Sequence, residues 1–130
     1  MPVSFDQIKI DEIYSRPLLA KLWGYSTFHA IARGVVTPRD SDKIILFVTE
    51  DKQASAEQYK NALLGSRLEW EGPKDHFAQA RMLKADASGD EIHLFHRERH
   101  HSDFTYRGRL TIVNYVLHSD RPSSFIFKVL

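Results

Sequence analysis

The sequence predicts an α+β domain, in which a short N-terminal helical hairpin and a further helix pack on a curved, mostly antiparallel, barrel-like sheet. Three observations carry that prediction. Residues 15–34 hold helix-capping residues and apolar spacing around two glycine stops. Ile44-Ile45-Leu46-Phe47-Val48 is an unbroken apolar run of strand length. The last forty residues alternate like an antiparallel meander. Helices before and between strands, then three consecutive strands, make an α+β pattern. With 130 residues, 42% hydrophobic and 27% charged, the chain has ordinary globular composition and the size of one domain, taken as 1–130.

Taken in order, Ser15 is an N-cap with Pro17 near the first helical position, Leu18, Leu19, Leu22 and Trp23 form an apolar stripe, and Gly24 stops the helix. A second short helix runs from a Ser26 cap to Gly34, and Thr37-Pro38 breaks the chain after Val35 and Val36. Lys43 to Thr49 is a central strand covered on both faces. Ala54 to Leu64 is a helix ended by Gly65, with Tyr59 and Leu63 on its buried side. Arg67 to Glu71 is a short strand carrying Trp70 and closed by Gly72-Pro73, and His76 to Ala85 adds a helical turn or two. Glu91 to Glu98 alternates, with Ile92, Leu94 and His96 on one face and His93, Phe95 and Arg97 on the other. Gly108 marks a bulge within Phe104 to Leu117. Asp120-Arg121-Pro122 turns into Ser124 to Leu130, where Phe125, Phe127 and Val129 share a face.

Several classes fall away. The absence of cysteine excludes disulfides, thiolate zinc sites and a cysteine nucleophile, and fits a reducing compartment. The start lacks a basic segment followed by an apolar one, and the longest apolar run is far too short for a bilayer, so the expected setting is cytoplasmic, without a membrane partner. No nucleophile elbow, catalytic triad or glycine-rich phosphate loop is present.

A net charge of +1 is uninformative in bulk, but its distribution is not. Arg97, Arg99, Arg107 and Arg109 face only Glu98 and Asp103 between His93 and Arg109. In a hairpin of symmetric register these arginines share faces and, with Tyr106 nearby, make a cationic patch suited to phosphate oxygens. Cross-strand pairing with the two acids explains them equally well. The spacing from Ala20 through Gly24 to Ile31 resembles a helix-turn-helix, which would turn Thr27, His29 and Arg33 towards DNA, although a helical hairpin packed on a sheet needs the same small residues. Trp70 between two glutamates either lines a pocket, where Glu71 accepts hydrogen bonds from a base amino group, or fills a core edge. The cluster His93, His96, His100 and His101, with Asn114 and His118, invites a metal reading. Alternation along a strand opposes it, because His93 and His96 then point to opposite faces.

Beyond these residues, Tyr14-Ser15-Arg16, Trp23-Gly24-Tyr25, Ala30-Ile31-Ala32-Arg33-Gly34, Ile45-Leu46-Phe47-Val48-Thr49, Trp70-Glu71-Gly72, Ile92-His93-Leu94-Phe95 and Phe104-Thr105-Tyr106-Arg107-Gly108 occur in that order. Their order and spacing over residues 14–130 resemble an uncharacterised domain at the C-terminus of bacterial helicase and restriction proteins that also carry a phospholipase-D-type nuclease. The resemblance implies a non-catalytic DNA-specificity domain without cofactor or metal. It implies as partners duplex DNA, modified in some systems, and a nuclease domain or subunit, in a bacterial cytoplasm at the nucleoid. This chain lacks the family's nuclease and helicase and starts at what reads as a natural beginning, so it is expected to be a free-standing protein or the targeting module of a different nuclease. The expected contacts are Arg33, Arg97, Arg107 and Arg109 on phosphates, with Tyr106 beside them, and Trp70 and Glu71 at a base or modification pocket. Arg16 and Tyr25 are added by the family strings alone. The alternatives are a protein-interaction adaptor and a histidine-metal nuclease dependent on His100.

Overall fold

The computed structural model describes residues 3–51, 61–99 and 101–130. The N-terminal segment lies across the sheet, burying Val3 and Ile8, and enters strand β1 (Ile13–Tyr14). Helix α1 (Arg16–Leu22) starts as its sequence dictates: the Ser15 hydroxyl accepts the Leu18 N–H, and Pro17 sits in the first turn. Gly24, at φ 80°, ends it. Only part of the expected stripe is buried, since Leu19, Ala20 and Trp23 enter the core while Leu18 and Leu22 are exposed.

The second helix of the expected hairpin does not form. In its place a single 3-10 turn, Phe28–Ile31, is capped by Thr27 rather than Ser26, and Val35–Val36 is drawn into strand β2. Val35 and Val36 pair with Leu46 and Ile45, which ends the segment in a strand and leaves a single turn between the Thr27 cap and Gly34. With no second helix, the helix-turn-helix reading has nothing to insert into a groove.

Strand β3 (Lys43–Asp51) is central, as its apolar run predicts. Ile44, Leu46 and Val48 enter one core cluster, while Ile45 and Phe47 enter the other. The expected helix 54–64 falls largely on residues 52–60, outside the described residues. Its end is a strand, β4 (Ala62–Leu64), and Gly65, at φ 62°, makes the hairpin turn into β5 (Arg67–Glu71) instead of stopping a helix. Two short helices follow, α2 (Gln79–Leu83) and α3 (Ala85–Ser88), then β6 (Glu91–Arg99), β7 (Phe104–Val116) and β8 (Ser124–Val129).

The strands form one sheet in the order β2-β3-β6-β7-β8-β5-β4, with β1 added to β7. The β3–β6 pair is parallel and the others are antiparallel. The expected barrel is therefore corrected to an open sheet: β2 and β4 make no ladder with each other. Both end strands are short, and Gly72-Pro73 stops β5 from extending, so the register a barrel needs is not available. The sheet nonetheless curls strongly. Leu46 of β3 and Leu68 of β5 meet in one cluster with Trp70, Leu94, Leu110, Phe125 and Phe127. The opposite face of β3 and β6 is covered by α1, Trp23 and the N-terminal segment around Phe95. The curl brings the β2 edge towards the end of β5, and a cleft opens between them.

Candidate nucleic-acid interface

Trp70 and Glu71 end β5 as a rib between two clefts. Trp70 pairs with Phe125 and Glu71 with Ser124 across the β5–β8 ladder. The Gly72 N–H then donates to the Ser123 carbonyl at 2.9 Å, and the Glu71 N–H donates to Asn61 Oδ1 at 3.2 Å. The rib is thus tied on both sides. Trp70 is only 6% exposed, with its ring 5.6 Å from Phe125 and 5.8 Å from Phe127, so most of it is core and only its edge reaches the clefts.

The first cleft, about 220 Å³, lies between the rib and the β2 edge. Val35, Phe47, Trp70 and Pro73 border it, the Phe47 ring itself being packed in the opposite core cluster, and Arg33, Asn61 and Glu71 bring polar groups into it. Arg33 stands exposed at the mouth, its guanidinium 4.2 Å from the Phe77 ring and 3.3 Å from Asp75. An ion pair this exposed contributes little, so Arg33 is readily released to another anion. The second cleft, about 410 Å³, lies on the far side of the rib against the β7–β8 turn, where His118 and Arg121 line it.

The other predicted cations are dispersed. The β6–β7 register shifts between Leu94 and Phe95, with Gly108 at φ 102° in the bulge, so the symmetric register that would have gathered the arginines does not exist. Arg97 turns inward: its Nε donates to Thr49 Oγ1 at 2.8 Å, a terminal nitrogen donates to the Ser102 carbonyl, and the guanidinium lies 4.3 Å from the Phe104 ring. Arg107 is held by Asp11 at 3.0 Å. Arg109 pairs across the ladder with His93 and keeps an exposed head. Glu98 and Asp103 form no ion pair with these arginines among the described residues.

Arg16 and Tyr25 serve the fold. Arg16 donates to the carbonyls of Ile31 and Arg33 at 3.0 and 3.4 Å and stacks against Phe47 and Phe104. Burial, and then the neighbouring Arg97, lower its pKa to about 10. Tyr25 packs half-buried on the core. Tyr106 is buried, and its hydroxyl meets His93 Nδ1 at 2.6 Å.

That contact belongs to a closed network. His93 Nε2 meets Glu91 at 2.9 Å, Glu91 pairs with Lys43 at 3.0 Å, and Phe5 stacks on the imidazole with centroids 3.8 Å apart. Burial drives the His93 pKa down to about 4 against the opposing pull of Glu91, and burial followed by Glu91 lifts Tyr106 to about 12. Burial disfavours ionisation of Glu91, but hydrogen bonds to His93 and Lys43 outweigh it and the carboxyl lies below its usual value. One tautomer satisfies every atom: Tyr106 donates to Nδ1 of a neutral His93, whose Nε2–H donates to the Glu91 carboxylate. His96, on the opposite face as its alternation predicts, is hydrogen-bonded to Glu50. Among the described residues no three histidine or carboxylate side chains converge to hold a metal ion, and His100 lies outside them.

Sequence reasoning missed Phe47 and Asn61 in the first cleft and the placing of His118 and Arg121 in the second. Asn61 reaches the rib through the β4–β5 hairpin, where the sequence suggests a helix, and Phe47 borders the same cleft through the curl of the sheet. The second two sit in and beside a proline turn that signals structure rather than chemistry.

No protein-family model matches the chain, and no curated protein matches it. A solved structure, described as the DNA modification-dependent restriction endonuclease AspBHI, shares its fold, with a TM-score of 0.60 over 100% of this chain and 80% of that one at 12% sequence identity. Among the described residues no helix is long and apolar enough to cross a membrane. At such identity the likeness is one of fold alone.

Proposed function

We propose that this chain is a DNA-recognition module that binds duplex DNA and senses a base modification, with cutting left to a nuclease domain or subunit. The observation that carries the reading is the first cleft. The edge of Trp70 and a converging arginine, asparagine and glutamate suit the apolar face and polar edge of a single base or its substituent. Its volume is below the roughly 300–1,000 Å³ of drug-sized sites, in keeping with one small ring system. The fold shared with a modification-dependent restriction endonuclease, and the restriction-protein strings in the sequence, support the same reading. In this assignment Glu71 accepts from a base amino group, the Trp70 edge meets the ring, and Arg33 leaves Asp75 for a phosphate at the mouth. Arg109 is a further phosphate contact. Arg16, Arg97 and Arg107 belong to the fold through their intramolecular partners.

The test is fluorescence anisotropy at two salt concentrations with unmodified, methylcytosine, hydroxymethylcytosine and phosphorothioate duplexes and a single strand. Preferential binding to one modified duplex, with the preference reduced in Glu71→Gln, is the expected result. Trp70→Ala is a poor probe, because emptying its core position costs about 3–5 kcal/mol. Equal, salt-sensitive binding to every duplex would remove the modification from the proposal. No binding to any would favour a protein-interaction role. Plasmid left uncut with added divalent ions is expected of the isolated chain.

A further inference from the structure

The second cleft, on the far side of the rib, is built differently from the first. Its far wall is the β7–β8 turn, residues 117–123, which is braced rather than loose. Ser123 is fully buried, its carbonyl accepts the Gly72 N–H at 2.9 Å, and its hydroxyl accepts the His118 N–H at 3.1 Å. Pro122 fixes the backbone next to Arg121. Arg121 is exposed, lines the cleft, and makes no hydrogen bond or ion pair among the described residues. That sets it apart from Arg16, Arg33, Arg97 and Arg107, each of which has an intramolecular partner. A free guanidinium on a rigid turn, joined by a backbone hydrogen bond to the rib that carries Trp70 and Glu71, is pre-organised for an anion and needs no existing contact to break.

We infer that the β7–β8 turn is a second arm of the DNA interface, in which Arg121 grips a backbone phosphate next to the nucleotide read in the first cleft. The inference rests on the DNA-reading proposal and deepens it. The two clefts share Trp70 and Glu71 as a common wall, so a strand crossing the rib meets Arg33 on one side and Arg121 on the other. The bare 410 Å³ of the second cleft accommodates a sugar and phosphate beside the guanidinium, and the His118 ring offers a further hydrogen-bonding group in the same wall. A phosphate contact positions the strand and carries no sequence information, so the arm contributes affinity without discrimination.

The experiment compares the full chain with Arg121→Gln, Arg121→Glu and, as a control at the exposed end of β6, Arg99→Gln, by anisotropy on modified and unmodified duplexes over a salt series. Arg121→Gln is expected to weaken binding about five- to tenfold on every duplex alike, and to lower the slope of log K against log salt by about 0.9, the value for one phosphate. Arg121→Glu should weaken it further. Arg99→Gln should stay within about twofold, as expected for an exposed charge making no phosphate contact. Thermal unfolding of both Arg121 variants should match the parent, since the side chain supports nothing in the fold. Parent-like affinity and slope for Arg121→Gln would overturn the second arm while leaving the modification reader intact. An equal loss in Arg99→Gln would overturn it too, by placing DNA on the hairpin tip. Failure of the parent to bind any duplex would overturn the DNA reading itself, and the arm with it.

Discussion

The His93 network makes a quantitative prediction about pH. In the unfolded chain this histidine takes a proton near its ordinary 6.5, whereas in the folded protein burial holds it neutral down to about 4. Between those values the unfolded state binds more protons, so stability falls as pH falls through the window from 6.5 towards 4. Each unit inside the window is worth about 1.4 kcal/mol, so a shift from pH 7 to pH 5 removes about 2 kcal/mol through this residue alone. For a chain of this length that is a fall in Tm of roughly 6–10 °C. The assay is urea unfolding at half-unit steps from pH 7 to 5, above the range where ordinary carboxylates titrate, with the parent and His93→Gln side by side. The variant starts from lower stability, because Tyr106 and Glu91 lose their shared partner, but its dependence on pH over the window should be flatter by about 2 kcal/mol. The remaining histidines are common to both proteins and cancel in the difference. Parallel curves would refute the reasoning, and would mean that the folded protein already tolerates a charged imidazole beside Glu91.

Three further substitutions test which residues serve the fold. Arg16→Met should cost about 2–4 kcal/mol, from the hydrogen bonds to Ile31 and Arg33 and the stacking on Phe47 and Phe104, while leaving the salt slope of duplex binding unchanged. Lost binding with unchanged unfolding would instead make Arg16 a contact. Gly108→Ala should cost about 1–3 kcal/mol in urea unfolding, because φ of 102° strains any side chain even though the added methyl would meet Ile10 only at ordinary distance. Gly72→Ala, with no such φ and only ordinary contacts to Phe125 and Trp70, should lie within about 1 kcal/mol of the parent. Equal effects at both glycines would refute a bulge-specific backbone requirement.

What could be read from the sequence divides along the range of the interactions. Ser15, Pro17 and Gly24 act within one turn, and α1 begins and ends where they place it. The apolar run of β3 and the alternation of β6 record local burial, and both survive in the two core clusters. The segment from Phe28 to Val36 failed because Gly34 and Ser26 imitate helix punctuation, while Val35 and Val36 gain more by pairing with Leu46 and Ile45. Ala62 to Leu64 failed similarly: Gly65 ends a helix and turns a hairpin with the same positive φ, and only the partner strand decides between them. Closure of the sheet is longer-ranged still. Nothing in β2 or β4 alone says whether the two edges meet.

The candidate site is likewise set by long-range contacts, and the run of arginines along the hairpin is therefore a poor guide to it. A phosphate contact requires a cation that is both exposed and uncommitted, and commitment is a property of the tertiary partner. Arg107 is itself the extra residue on β7, left without a ladder partner on β6 and taken by Asp11. Thr49, the Ser102 carbonyl and the Phe104 ring take up Arg97. Arg121, isolated in sequence beside an aspartate and a proline, keeps a free head because its turn is held through backbone and serine groups that make no demand on it. Charge clustering in the sequence and charge availability on the surface are therefore different quantities here. The bulge at Gly108 removes the cluster, and the braced turn supplies the free guanidinium next to Trp70 and Glu71.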